Sequence, residues 1–391
     1  MTAAQRHKKV NYWIKWPLLV CVILCSSLLL QGCWDEVNLQ DVSYVSAIGI
    51  DYKEDHFEIY VQLIKFSLVA KTETLQPDPN PVWNGKASGD SILLALHDLT
   101  RAGHSILSLE HLKTVIVQER AMGKMTEILD GLNRQRTSRY TAFIYGTRTS
   151  IEKIFTTETF FDQSPLQSIM YMPGPLESQR SFIRPYLMQL AVQTLKEPAM
   201  VTTLPALTEN DKYWSRKKQS IPIQFIDGIF VFNELRYLGY LKESDSTGMR
   251  WVNPEFKQFQ LKADGPEGSS TVVVTSSKAR IHTSFVEGKP VFMLKLSLTG
   301  NVAEMAGLIK EEDVTASVES QVKKQIEDTF HKGITKGMDL FELEHHLYRY
   351  YQTYWKEECK GKAWVPKPEQ LKITAHFRLI HTGNFDLNTD T

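Results

Sequence analysis

Beyond residue 41, apolar and polar positions follow two periods in turn, two residues and about 3.6, those of strands and helices. Val42–Asp51 is an apolar, β-branched run ending in Gly49-Ile50-Asp51, and Asp55–Phe66 alternates through Phe57, Ile59, Val61 and Leu63. The polar turn Lys53-Glu54-Asp55 between them predicts paired strands. Thr72–Gly89 is polar, holds Pro77, Pro79 and Pro81, and predicts an irregular loop. Ser91–Arg101 predicts a helix with Ile92, Leu93, Leu96 and Leu99 on one side and Asp90 or Ser91 as its cap. A short buried strand at Lys113–Val117, a helix over Met122–Arg134 and a strand at Tyr140–Tyr145 follow. This alternation predicts an α/β or α+β domain that ends near the Leu204-Pro205 break.

After the polar stretch Glu209–Ser220, Ile223–Phe232 and Arg236–Leu241 predict a hairpin with Asn233-Glu234 at its tip. Asp227-Gly228 marks a kink or bulge within it. The last third opens with strands at Thr271–Phe285 and Pro290–Thr299, turned by Glu287-Gly288. Val318, Val322, Ile326 and Phe330 then recur four apart, one stripe of a long amphipathic helix broken by Gly333 and Gly337. A second, aromatic-rich helix is expected from about Leu340 to Lys356, and a final strand at Leu371–Ile380. The fold class expected is α+β: three dissimilar domains of mixed sheets with packed helices, over 33–205, 206–262 (a small β-rich middle piece) and 263–391.

The first 32 residues change the picture. Arg6, Lys8, Lys9 and Lys15 precede an uncharged stretch from Trp16 to Leu30, and Gln31-Gly32-Cys33 follows. Basic, apolar, small, then cysteine is the layout of a cleaved lipoprotein signal. The Cys33 thiolate is expected to be acylated and the chain cut between Gly32 and Cys33. Fifteen uncharged residues fall short of the ~20 a spanning helix needs. Extending the stretch back past Lys15 costs about 2.5–3.5 kcal/mol at a helix centre but little near an end, so an uncleaved anchor is the alternative. Gln31 stands where a smaller residue is more usual.

Removing the leader's four basic residues leaves 41 Lys and Arg against 45 Asp and Glu, a charge near −4 with no strong bias. Nucleic-acid binding, which needs clustered basic charge, is not indicated. Of four cysteines, Cys21 and Cys25 leave with the leader and Cys33 carries the lipid. That leaves Cys359 without a disulfide partner, a reactive thiol or an inert residue after a helix.

No catalytic constellation emerges. His97, His104 and His111 recur at seven-residue spacing, but two helical turns rise about 10.5 Å, too far for two imidazoles to share one zinc. His345 and His346 are adjacent and face different sides of a helix. The chain has no H-E-x-x-H, G-x-G-x-x-G, phosphate loop or G-x-S-x-G. The expectation is a non-enzymatic chain with no metal or cofactor. The cluster from Tyr348 to Trp355 is the strongest binding candidate, with Tyr348, Tyr350, Tyr351 and Tyr354 as candidate interface residues and core packing as the competing role. The loop around Trp83 is the second candidate.

In this order the pieces resemble the Ger(x)C family, the lipoprotein C subunits of spore nutrient-germinant receptors. The resemblance runs from Gly32-Cys33-Trp34-Asp35 and Ala47-Ile48-Gly49-Ile50-Asp51 to Leu109-Glu110-His111-Leu112-Lys113 with Val115-Ile116-Val117. It continues through Leu204-Pro205, Asp227-Gly228 to Val231-Phe232, and Leu238-Gly239-Tyr240-Leu241. Met338-Asp339-Leu340-Phe341 with Tyr348 and Trp355 resembles the motif after the family's long helix. Glu342 departs from it, standing where a small residue is more usual. The resemblance implies a three-domain, non-catalytic lipoprotein on the outer face of the spore inner membrane. It implies integral membrane A and B subunits as partners, with the transporter-like B subunit recognising nutrient. Cys33 is the only residue to which it gives a chemical role. The competing reading is a solute-binding lipoprotein of an importer, which should show two similar lobes around a cleft. A cell-wall hydrolase would need a catalytic set that does not stand out.

Overall fold

A computed structural model describes residues 20–21, 42–64, 82–103, 105–134, 140–174, 183–362 and 364–381. Strands β1 (Val42–Lys53) and β2 (His56–Ile64) form the expected antiparallel pair. Glu54 and Asp55 turn between them with φ of 50° and 61°, the left-handed pair a two-residue hairpin turn requires. Residues 82–89, expected in a loop, instead form edge strand β3 (Val82–Gly89) beside β2. Gly85, Ala87, Ser88 and Gly89 give that strand no apolar alternation to read. The rest of the expected loop, 72–81, lies outside the described residues.

Helix α1 (Ile92–Ala102) starts where Ser91 Oγ accepts the Leu94 N–H, 3.3 Å away. It buries Ile92, Ala95 and Leu96, while Leu93 turns outward. Strands β4 (Ile106–Ser108) and β5 (Thr114–Gln118) pair in parallel with β1. Helix α2 (Met125–Asn133), strand β6 (Phe143–Thr147), the short helix α3 (Ile151–Thr156), β7 (Tyr186–Leu187), helix α4 (Met188–Lys196) and β8 (Val201–Asn210) complete this part.

Two of the expected segments are placed differently in the structure. Leu204-Pro205, expected near the end of the first domain, lies in the middle of β8. β8 meets β6 only at the Gly146–Ala206 pair, a sparse ladder in which a residue lacking an N–H is accommodated. The middle hairpin has the predicted strands, β11 (Ile223–Asn233) and β12 (Arg236–Lys242), and the bulge at Asp227. It does not form a sheet of its own. β11 bonds to β8 over its length, so the order β12-β11-β8-β6-β5-β1-β2-β3 runs through one sheet, with β4 on β1 and β7 on β6. The intervening polar stretch contributes only the small ribbon β9 (Ser215–Arg216) and β10 (Gln219–Ser220).

Alternation along these strands splits the core in two. Ile48, Ile50, Val115, Val117, Ile144, Phe230 and Phe232 pack against α1, α2 and α4 on one face. Ala47, Ile116, Tyr145, Ile229 and Val231 point to the other face, where the core runs on without interruption into the last third of the chain. That third is a four-stranded sheet, β13 (Phe259–Asp264), β14 (Gly268–Val286), β15 (Lys289–Gly307) and β16 (Leu371–His381), in the order β13-β14-β15-β16. Helix α6 (Glu311–Thr335) lies on it and buries Val314, Val318, Val322, Ile326 and Phe330. Each such side chain contributes about 1.5–3 kcal/mol of hydrophobic stabilisation. Gly333 does not break this helix. It stays inside, packed so tightly that a Cβ would come within 2.8 Å of the Met338 carbonyl oxygen. The turn comes at Gly337, at φ +72°. The ten-stranded and four-stranded sheets are not two copies of one lobe.

Candidate functional site

The two sheets are joined by two short segments. After β12 the chain makes the single turn α5 (Met249–Val252), whose Trp251 is completely buried. Its indole N–H donates to Gln325 Oε1 on α6 at 2.9 Å, and the Gly248 N–H donates to Thr329 Oγ1 at 2.9 Å. After α6, Met338-Asp339-Leu340-Phe341 returns to the joint. Met338 closes on Gly239 of β12, where a Cβ would lie 3.0 Å from its Cε. Leu340 packs on Gly333, and the Phe341 ring lies 6.2 Å from that of Phe330. The motif is therefore a connector, and Asp339 is its polar centre. Its Oδ2 accepts the Glu344 N–H at 2.7 Å, capping helix α7 (Leu343–Tyr350).

The predicted second helix is shorter and broken. Phe341 precedes it, α7 ends at Tyr350, and Tyr351 leaves helical geometry at φ −133° and ψ 54° before one further turn. A π-type turn, Trp355–Cys359, follows. The break redistributes the tyrosines. Tyr348 packs edge-on against Trp355, centroids 4.9 Å apart, and Tyr351 and Tyr354 flank Phe285 at 5.3 and 5.2 Å. These three are half-buried against the core. Of the four, only Tyr350 is exposed, at 71%, with its ring 4.8 Å from that of His346.

Between the sheets lies an open cleft of about 1380 Å³. Its walls include Tyr186 and Arg184 before α4, Thr202 and Thr203 of β8, and Arg280 and His282 of β14. Glu342, His346 and Tyr350 line it from α7. Arg184 is engaged by Glu255. Burial first, then the carboxyl of Asp339, pushes the pKa of Glu342 up to about 7. Burial likewise raises Glu344 to about 7, although the Trp355 indole donates to its Oε1 at 3.2 Å. Asp339 rises to about 6 by burial, opposed by backbone N–H groups. The folded protein therefore holds protons on these groups that the unfolded chain has released by about pH 4.5. Their contribution is fully favourable below that pH and is lost as pH rises through about 6–7. Thermal unfolding followed between pH 5 and pH 8 should show a falling midpoint, and Glu342→Gln should flatten the fall. A profile that rises over this interval would contradict the burial argument.

Other residues singled out in the sequence are placed as follows. Asp51 is gripped bidentately by Arg120, at 2.5 and 3.1 Å. Burial acts to raise its pKa, but that grip and the Tyr52 N–H bring it below the usual carboxylate range. His111 stacks edge-on against Tyr44 at 4.3 Å, and His97 is exposed on α1. Among the described residues these histidines are not brought into a metal-binding group. His104 lies outside the described residues, as does Cys33. Cys359 is fully buried, with its thiol pushed up to about 12 by burial first, which fits the inert reading. Trp83 does not fold back; it is 73% exposed on β3.

One aromatic patch was missed. Phe160, Phe161 and Trp214 meet edge-on, with Phe160 4.4 Å from Phe161 and 4.7 Å from Trp214. Phe161 is 81% and Trp214 54% exposed, beside the equally open Tyr213. The signal was there in two aromatic pairs within polar surroundings, 160–161 and 213–214, but their meeting is a tertiary fact.

Residues 35–209 match the family described as spore germination protein N-terminal domain, and residues 227–383 that described as spore germination B3/GerAC-like, C-terminal. Spore germination protein KC of Bacillus subtilis (strain 168) is 25% identical over 388 residues, covering 92% of this chain and 95% of its own. Spore germination protein B3 of the same organism is 20% identical, covering 91% and 95%. The crystal structure of the GerBC protein superposes with a TM-score of 0.52 at 15% identity, over 85% of this chain and 96% of that one, a likeness of fold.

Proposed function

Because the chain belongs to the Ger(x)C family of spore germination proteins, we propose that it is the lipid-anchored C subunit of a spore germinant receptor. It works by contact rather than by catalysis, held to the outer face of the spore inner membrane through Cys33. Its partners are the integral membrane A and B subunits, and its part is to keep the receptor assembled and coupled to nutrient recognition. The observation that carries this reading is the match to the family's two parts in order along the chain, behind a leader that ends at Gly32-Cys33. Among the described residues no helix is long and apolar enough to cross a membrane.

A chain that acts by contact needs adhesive surface, and clustered exposed aromatics are the usual form of it. Phe161 and Trp214 form one such surface and Tyr350 another. With a tag on this chain, both membrane subunits should co-purify from detergent-solubilised spore membranes. Phe161→Ala with Trp214→Ala should cut their recovery, since hot-spot aromatics cost about 2 kcal/mol or more when truncated, near thirtyfold in affinity. Tyr350→Ala is read in the same assay. The half-buried Tyr348, Tyr351 and Tyr354 should affect folding before they affect recovery. Absence of both membrane subunits from the wild-type preparation would sink the proposal.

A further inference from the structure

Among the described residues, nine non-glycine residues have positive φ. Six of them, Glu54, Asp55, Lys217, Lys218, Glu234 and Glu287, sit in hairpin turns, where that geometry is required. Glu342 does not. It stands at φ 56° and ψ 36° directly before α7, a conformation that strains a residue with a Cβ. Local backbone preference thus argues against a long side chain here, and the chain carries one.

The side chain is largely buried but not paired. Among the described residues its carboxyl has no hydrogen-bond or ion-pair partner, and the groups that feel its charge are Asp339 and the Tyr186 hydroxyl. It lines the cleft between the sheets, and the loss of hydration there, with Asp339 behind it, is what raises its pKa. Its carbonyl accepts the His346 N–H at 2.9 Å, so the helical spacing already holds at this residue. Glu342, His346 and Tyr350 are then successive residues four apart on one face of α7. All three line the cleft, spanning about 12 Å along the axis. The His346 and Tyr350 rings lie 4.8 Å apart. Burial and the neighbouring His345 favour the uncharged imidazole at His346. The face presents an unpaired carboxyl followed by two uncharged rings.

We propose that this cleft binds a small organic ammonium compound, its charged nitrogen on Glu342 and its apolar body along His346 and Tyr350. Above about pH 7, where Glu342 is ionised, an ammonium group supplies what the carboxylate lacks, a donor and an opposite charge in a partly dehydrated place. The rings offer the apolar and π surface such a body prefers. On the other walls Arg184 is engaged by Glu255, while Arg280 is exposed, so a ligand with a single cationic end fits better than a dication. The inference does not depend on the partners proposed above, and its test needs none of them.

The test uses the full chain purified in detergent and saturation-transfer NMR titrations with benzylamine and with benzyl alcohol, its uncharged counterpart. Benzylamine should saturate in the millimolar range expected of so few atoms, at least tenfold more tightly than benzyl alcohol. Glu342→Asn keeps a side chain that tolerates the left-handed backbone and should remove that tenfold preference. Glu342→Gln, matched in size, should do the same, and circular dichroism of both variants should remain that of the wild type. Absence of saturable benzylamine binding, equal binding of the alcohol, or a preference that survives both substitutions would each overturn the proposal.

Discussion

Asp339→Ala should lower the stability of the folded chain by about 3 kcal/mol, more than a hundredfold in the folding equilibrium. The site explains the size. Asp339 is almost wholly buried, and its Oδ2 accepts the Glu344 N–H at the start of α7. Losing a cap costs about 0.5–2 kcal/mol. Here the released N–H would also remain out of water, adding about 1–3 kcal/mol. Met338, Leu340 and Phe341 on either side plug the joint between the sheets, so the damage falls on a connection rather than on a free helix end. Asp339→Asn keeps an acceptor oxygen and removes a buried carboxyl whose pKa burial raises to about 6, and it should cost about 1 kcal/mol. Denaturant unfolding of the full chain separates the cases. An alanine variant within 1 kcal/mol of the wild type would show that the cap carries little.

How much of this was legible in the sequence depended on the range of the interaction. Hairpins at 53–56 and 286–289 could be read because strand periodicity and turn residues are local. The α6 stripe of Val318, Val322, Ile326 and Phe330 could be read for the same reason. Strand β3 could not, since an edge strand of small and polar residues is held by its neighbour β2 and not by a hydrophobic period of its own. Nor could the place of β11 and β12, because the pairing of Phe230 with Leu204 leaves no mark in either segment. The tyrosine cluster was visible as composition, but the break at Tyr351 decides which rings are covered, and Tyr350 alone stays open. The carboxyls of Asp339, Glu342 and Glu344 differ from the chain's other acids only in their surroundings.

The largest effect expected of any single change is that of Cys33→Ala, which should abolish lipid attachment completely. On the lipoprotein reading, Cys33 is the residue directly after the expected cut at Gly32 and the thiol to be acylated. Buried Cys359 cannot replace it, its thiol being held protonated far above neutral pH. One acyl chain gives only marginal membrane binding, whereas two chains anchor stably, so the consequence for location should be as sharp as that for chemistry. Without lipidation the signal should not be cut at Cys33, and a precursor longer by the leader should accumulate. Incorporation of radiolabelled fatty acid, read beside the apparent mass, tests both points. The expected result is label in the wild type, none in Cys33→Ala, and a mass difference matching residues 1–32. Label retained by the variant would refute the assignment of Cys33. A wild-type chain that keeps its leader and takes up no label would favour the uncleaved anchor, in which the stretch Trp16 to Leu30 and the residues before it hold the protein to the membrane.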